Sequence, residues 1–125
     1  MVSSSIKMIS LILQDLHASS SDILASALVS NDGLPIAFRL PEDVEPDRVG
    51  GMTAAMFSLG SRAAREMKVG KMQQVMVQGD DGLIVLIQAS AESSLIITAK
   101  QEAKLGLVLL NARQAVKQII EWIEE

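Results

Sequence analysis

The sequence predicts an α/β fold of the α+β kind, a single five-stranded antiparallel sheet carried in the element order α-β-β-α-β-β-β-α. Three observations lead there. Apolar residues recur at three- and four-residue spacing near both ends of the chain; short apolar runs between them are split by glycine turns or short links; and one Ala/Gly-rich stretch headed by proline interrupts the runs after the second.

The first helix is read from Ile6 to Leu16, where Ile6, Ile9, Leu13 and Leu16 form a stripe that Met8 and Ile12 widen, and "HASSSD" ends it. His17, the only histidine, stands at that end, where the negative helix terminus favours an imidazole. "DILASALVS" and "LPIAFRL" follow as a β-hairpin, because Asn31-Asp32-Gly33 makes a turn in which glycine supplies positive φ. Pro46 suits the first turn of the next helix and Asp47 its positive end; that helix runs to about Lys68, with Gly70 placed to stop it.

"MQQVMVQ", "LIVLIQA" and "SLIITA" read as an antiparallel meander, since Gly79-Asp80-Asp81-Gly82 and Ala91-Glu92-Ser93 are short links. The last helix sets Leu105, Val108, Leu109, Ala112, Val116, Ile119, Ile120 and Ile123 on one stripe, with Thr98 and Gln101 as a capping box. "LIVLI" and "LIIT" lack alternation, so helices should cover both faces of the sheet.

Composition excludes whole classes of function. Residues 1–125 make one domain, and no apolar run approaches the roughly 20 residues of a membrane span. A net charge of −4 and only three aromatic residues, Phe38, Phe57 and Trp122, argue against nucleic acid. The chain has no cysteine, hence no disulfide or thiolate site, and its start lacks the basic leader of a signal peptide; a cytoplasmic protein is expected.

The catalytic inventory is equally thin. Glu42, Asp43, Glu45 and Asp47 crowd one loop before a helix, where acidic residues are ordinary capping groups. Asp80 and Asp81 lack the ligand count of a calcium loop, a serine nucleophile would have no obvious base, and no phosphate-loop pattern occurs. The expectation is a protein that is not an enzyme and takes neither cofactor nor metal.

The informative stretch is "VGGMTAAMFSLGSRAAREM". Advancing about 100° per residue gathers Val49, Met52, Met56, Leu59, Ala63 and Met67 into an arc read as the face for the sheet, flanked by Thr53, Phe57, Gly60 and Ala64. The opposite arc holds Gly51, Ala54, Ala55, Ser58 and Ser61, with long charges beginning at Arg62 and Arg65. Glycine costs a helix on the order of 1 kcal/mol relative to alanine, so Gly50, Gly51 and Gly60 together point to close approach by another surface. "KMQQVMVQ" reads as an edge strand with neither proline nor inward charge to block pairing, so a dimer joining two sheets is expected. The Arg62, Arg65, Lys68 and Lys71 cluster reads first as solvated basic residues that complement the helix dipole in a last turn, next as an electrostatic contact with an acidic partner, and last as a finger for phosphoryl transfer.

"SNDGLPIAFRLPEDVEPDRVGGMTAAMFSLGSRAAREM", "QVMVQGDDGLIVLIQA" and "AKLGLVLLNARQAV", in that order over roughly residues 22 to 120, resemble the Roadblock family of dynein light chains and prokaryotic small-GTPase regulators. The resemblance implies a Roadblock/profilin-like sandwich, with the central helix on one face and the terminal helices on the other. It also implies dimers in which third strands pair and central helices lie side by side, and a noncatalytic platform for a Ras-like small GTPase. Carried over by position, Gly51, Ala54, Ala55, Ser58, Ser61, Arg62 and Arg65 would face the partner. Thr53, Phe57, Gly60 and Ala64, with Met72, Gln74 and Met76, would form the homodimer contact. Bacterial regulators of the family carry a tail beyond the last helix, whereas the pattern here closes at Glu125, so binding or scaffolding is the expected role rather than activation of hydrolysis.

The same order of elements would also serve a small-molecule sensor of PAS or profilin-like type, given a pocket with a few placed polar groups. A small enzyme ranks third.

Overall fold

The structure, a computed structural model, describes residues 3–123. Ser3–Ser19 form α1, Ile23–Ser30 β1, Pro35–Arg39 β2, Pro46–Glu66 α2, Gln74–Gln78 β3, Gly82–Ser90 β4, Ser93–Lys100 β5 and Leu105–Ile123 α3. This is the order the sequence predicts, and the strands build one antiparallel sheet in the spatial order β2-β1-β5-β4-β3. Gly33 takes φ +91° in the first hairpin turn, as its position requires. Pairing of β1 with β5 puts the most apolar runs in the middle and leaves β2 and β3 as edges.

Side chains alternate across each strand, so the register sorts them into layers. Leu28, Leu95 and Ile87 lie side by side on one face, where Ile9, Leu13 and Leu16 of α1 and Val108, Ala112 and Ile119 of α3 close over them. Each of the larger side chains buried here contributes about 1.5–3 kcal/mol. The partner of α1, which the sequence leaves unassigned, is α3. Ile6 lies outside this stripe and is exposed, while Ser5 is buried in its place.

The face under α2 is thinner. Ala27, Val29 and Ile96 are buried there, with Val49, Met56 and Ile84 only half-covered.

Two predicted helix signals fall elsewhere. Thr98 lies inside β5, so the Thr98–Gln101 capping box does not form; the carbonyl of Lys104 instead accepts from Leu107 and Val108 as α3 begins. The end of α2 is made by Lys68, not Gly70: Lys68 takes φ 59°, its N–H donates to the Arg65 carbonyl, and the Val69 N–H donates to the Ala64 carbonyl. That pair of bonds is a Schellman closure with lysine at the left-handed position. Gly70, at φ +96°, redirects the chain two residues later.

Candidate functional site

Helix α2 crosses the sheet from the β1–β2 turn to the edge strand β3, and the way it lies inverts one sequence expectation. Buried under it are Gly50, Thr53 and Ala64, not the large apolar side chains. Thr53 is 1% exposed and donates its hydroxyl to the Val49 carbonyl at 2.7 Å. Met52, Leu59 and Met67, expected against the sheet, are 57%, 69% and 76% exposed, and Ala63 is exposed beside them.

The glycines give the physical reason. A Cβ on Gly50 would collide with the carbonyl oxygen of Gly33, and one on Gly60 would stand 2.7 Å from Val75 Cγ2 and 2.8 Å from Met72 Sδ. Small residues let α2 lie close on the sheet, and that close approach uses the narrow side of the helix. Two of the three glycines are therefore spoken for within the chain; Gly51 alone faces open space.

The assigned partner residues keep together. Gly51, Ala55, Ser58, Arg62 and Arg65 are exposed and Ala54 and Ser61 half-buried, sharing an arc of about 120° at 3.6 residues per turn. The proposed dimer residues do not. Thr53 and Ala64 are buried beneath α2, Gly60 packs on β3, and Phe57 is half-buried. Gln74 accepts a 3.0 Å hydrogen bond from Arg113 Nη2 of α3, and Met76 is exposed on the edge strand. Met72 is half-buried below Gly60. The sequence reading missed that Met52, Leu59 and Met67 are the exposed apolar stripe. The signal was present: Gly50, Thr53, Gly60 and Ala64 share one narrow face, and glycines cost too much on a face that packs against nothing.

Alongside that stripe runs a groove of about 540 Å³, walled by Val49, Met52 and Met56 of α2 and by the loop residues Leu40, Pro41 and Val44. Its floor is the uncovered part of the sheet, including Val77 of β3, Ile84 and Ile96; Ser26 and Thr98 are the polar residues lining it. On the other flank of α2, Arg65, Lys68 and Lys71 line a second concavity of about 620 Å³ with Phe57, Ser61 and Gln88. Arg62 stands apart from them, its Nε 2.6 Å from Glu66 Oε2.

His17 stands in the last turn of α1, as expected, and turns its ring to the sheet. Its Nε2 lies 2.9 Å from Ser26 Oγ on β1, and burial, followed by the nearby Arg39 guanidinium, holds its pKa below the ordinary 6.5. Among the described residues no group of three or more His, Cys, Asp or Glu is placed to hold a metal ion, and no helix is long and apolar enough to cross a membrane.

This sheet, with one close-lying helix on one face and two on the other, has known counterparts. A profile of the Roadblock/LC7 domain matches residues 9–99. The chain belongs to the Roadblock/LC7 domain family. An uncharacterized protein of Methanocaldococcus jannaschii is 32% identical over 112 residues, which cover 90% of this chain and 96% of that one. Among solved structures, the Roadblock/LC7 domain from Streptomyces avermitilis superimposes with a TM-score of 0.87 at 20% identity, covering 93% of this chain and 98% of its own. MglB of Myxococcus xanthus gives 0.89 at 15% identity over 99% and 93%. A profilin of Acanthamoeba castellanii, at 0.58 and 14% identity over 83% and 90%, shares the Roadblock/LC7 layering of this chain.

Proposed function

We propose that this Roadblock/LC7 chain is a noncatalytic, cytoplasmic, homodimeric platform that binds and regulates or scaffolds a Ras-like small GTPase through α2. One observation carries the reading: α2 divides into a small-residue face held by its own sheet, an exposed apolar stripe at Met52, Leu59 and Met67, and a bare arc at Gly51, Ala55 and Ser58. The family resemblance implies two occupants for such a helix. The apolar stripe, next to the free edge of β3, suits a second copy, and Met52, Leu59 and Ala63 replace Thr53 and Ala64 in the proposed dimer contact. The bare arc lets a partner surface approach the helix backbone, with Arg62 and Arg65 at its rim.

The test is affinity capture from the lysate of the source organism with the parent chain and with Ser58→Glu, which places a long charge where a close surface must dock. Recovery of a Ras-like GTPase by the parent and its loss with the variant supports the reading. A folded dimer that recovers no GTPase moves the function to scaffolding of other chains.

The groove of about 540 Å³ favours a second reading, a small-molecule sensor. Its near-absence of polar residues suits an apolar ligand only, and a ligand-dependent rise in Tm would mark it.

A further inference from the structure

The basic concavity on the other flank of α2 shares Ser61 and Arg65 with the bare arc and otherwise lies outside it. Its charge comes from one short segment. On a chain of net charge −4, residues 62–71 carry Arg62, Arg65, Lys68 and Lys71 against Glu66 alone, a net charge of +3. Arg62 and Glu66 pair with each other, and the remaining three cations line the concavity with no carboxylate among its lining residues. The backbone is bent to bring them there. Arg65 stands in the last turn of α2, Lys68 closes the helix at φ 59° where glycine is the usual residue, and Gly70 at φ +96° turns Lys71 back to the same concavity. A lysine held in the left-handed region costs stability, and strain of this kind gathers at ligand sites. Three cations converging on one concavity focus the field for an anion, and a guanidinium beside two ammonium groups is a donor set that phosphate takes.

Phosphate alone does not account for the rest of the lining. Phe57, one of only three aromatic residues in the chain, is half-buried on the same flank two turns before Arg65, about 12 Å away along the helix axis. Between them Ser61 donates its hydroxyl to the thioether of half-buried Met72 at 3.9 Å. Gln88 of β4 completes the wall: its Nε2 donates to the Ser90 carbonyl at 2.9 Å, which fixes the amide and, among the described residues, leaves its Oε1 without a donor. A half-buried ring and a thioether suit the face of a planar base, and a fixed amide oxygen suits an exocyclic amine. The volume of about 620 Å³ is that of a small-molecule site, which runs to roughly 300–1,000 Å³. The separation of ring and cations matches the extent of an outstretched nucleoside polyphosphate.

We propose that this concavity binds a nucleoside polyphosphate, with the base against Phe57, its exocyclic amine donating to Gln88, and the phosphates held by Arg65, Lys68 and Lys71. The site lies on the flank of α2 opposite the groove walled by Met52 and Met56, so covering that side leaves it open. It is a property of the single chain and needs neither a second copy nor a GTPase. Because Ser61 and Arg65 belong to both the site and the bare arc, a bound nucleotide stands at the edge of the surface assigned to the partner.

Isothermal titration calorimetry of the purified chain with ATP, inorganic triphosphate and adenosine tests this. ATP is expected to bind with a Kd below about 100 μM, and adenosine and inorganic triphosphate each at least about tenfold more weakly. Arg65→Gln/Lys71→Gln should weaken ATP binding more than about tenfold, whereas Arg48→Gln/Lys117→Gln, which removes the same charge at exposed positions elsewhere, leaves it unchanged. Phe57→Leu should weaken ATP several-fold and leave inorganic triphosphate as it was, a split that loss of the fold cannot produce. Circular dichroism of each variant establishes that it is folded. A parent chain that takes up no ATP at millimolar concentration overturns the proposal. So does inorganic triphosphate that binds as tightly as ATP, which leaves the ring and the amide without a role, and so does ATP binding that Arg65→Gln/Lys71→Gln does not alter.

Discussion

Gly33 and Gly50 lie backbone to backbone, with no room for a Cβ at position 50 beneath the Gly33 carbonyl oxygen. This contact fixes where α2 starts relative to the first hairpin, and neither backbone can yield without moving an element. Gly50→Ala is expected to cost about 1–3 kcal/mol, the usual penalty of overpacking. Gly51→Ala, one residue on and facing open space, should be neutral or stabilising by up to about 1 kcal/mol, because it removes glycine's helix penalty. Urea unfolding at one protein concentration compares the two; equal effects would mean that the close approach at Gly50 does not hold the helix.

The stripe formed by Met52 and Leu59 yields a second expectation. Leu59→Glu should shift the sedimentation profile from dimer to monomer with little loss of helicity, since this side chain touches no core of its own protomer. Gly60→Arg is not an equivalent probe. A side chain there is driven into Val75 and Met72, so the variant should lose thermal stability as well as association. A Leu59→Glu chain that remains fully dimeric would remove this stripe from the interface.

Most of the architecture was legible because period and punctuation agree along the chain. Pro46, Gly33 and the two short links bound their elements, and the stripes of α1 and α3 match their buried faces apart from Ile6. What was not legible was which side of α2 meets the sheet. Hydrophobicity ranks Met52, Leu59 and Met67 above Gly50, Thr53 and Ala64, and that ranking names the core only when an isolated chain decides the burial. Here the large side chains are left to the outside, and the close helix–sheet spacing, which selects small residues, leaves no mark in hydropathy. The capping box failed for a related reason: Thr98 and Gln101 have the right spacing, but pairing with β1 and β4 extends β5 through Lys100. The exposure of Gly51, Ala55, Ser58, Arg62 and Arg65 was legible, because at about 100° per residue their arc lies well away from both the expected and the observed buried face.

His17 gives a pH dependence whose sign follows from its lowered pKa. The unfolded chain takes the proton near pH 6.5 while the folded chain resists it, through burial and then Arg39. The contribution of His17 to stability is therefore complete above 6.5 and declines as pH falls from there through the folded value. Between about pH 7.5 and about pH 5.5 the parent should lose urea resistance, and His17→Gln should lose less. Identical slopes for the two proteins would show that burial and Arg39 do not hold the imidazole neutral.

Lys68 offers a change in the opposite direction. It occupies the left-handed region at φ 59°, where a Cβ is penalised, yet its N–H and that of Val69 satisfy the last carbonyls of α2 through Arg65 and Ala64. Glycine keeps both bonds and relieves the strain, while adding some freedom to the unfolded chain. Lys68→Gly is therefore expected to raise stability by about 0.5–1 kcal/mol, read from urea unfolding at matched concentration. The same substitution removes a cation from the concavity lined by Arg65, Lys68 and Lys71, so it should weaken capture of an acidic partner as it strengthens the fold. If lysine is kept at this strained position for its charge, stability and partner capture will move in opposite directions; if both rise together, Lys68 contributes nothing to partner binding.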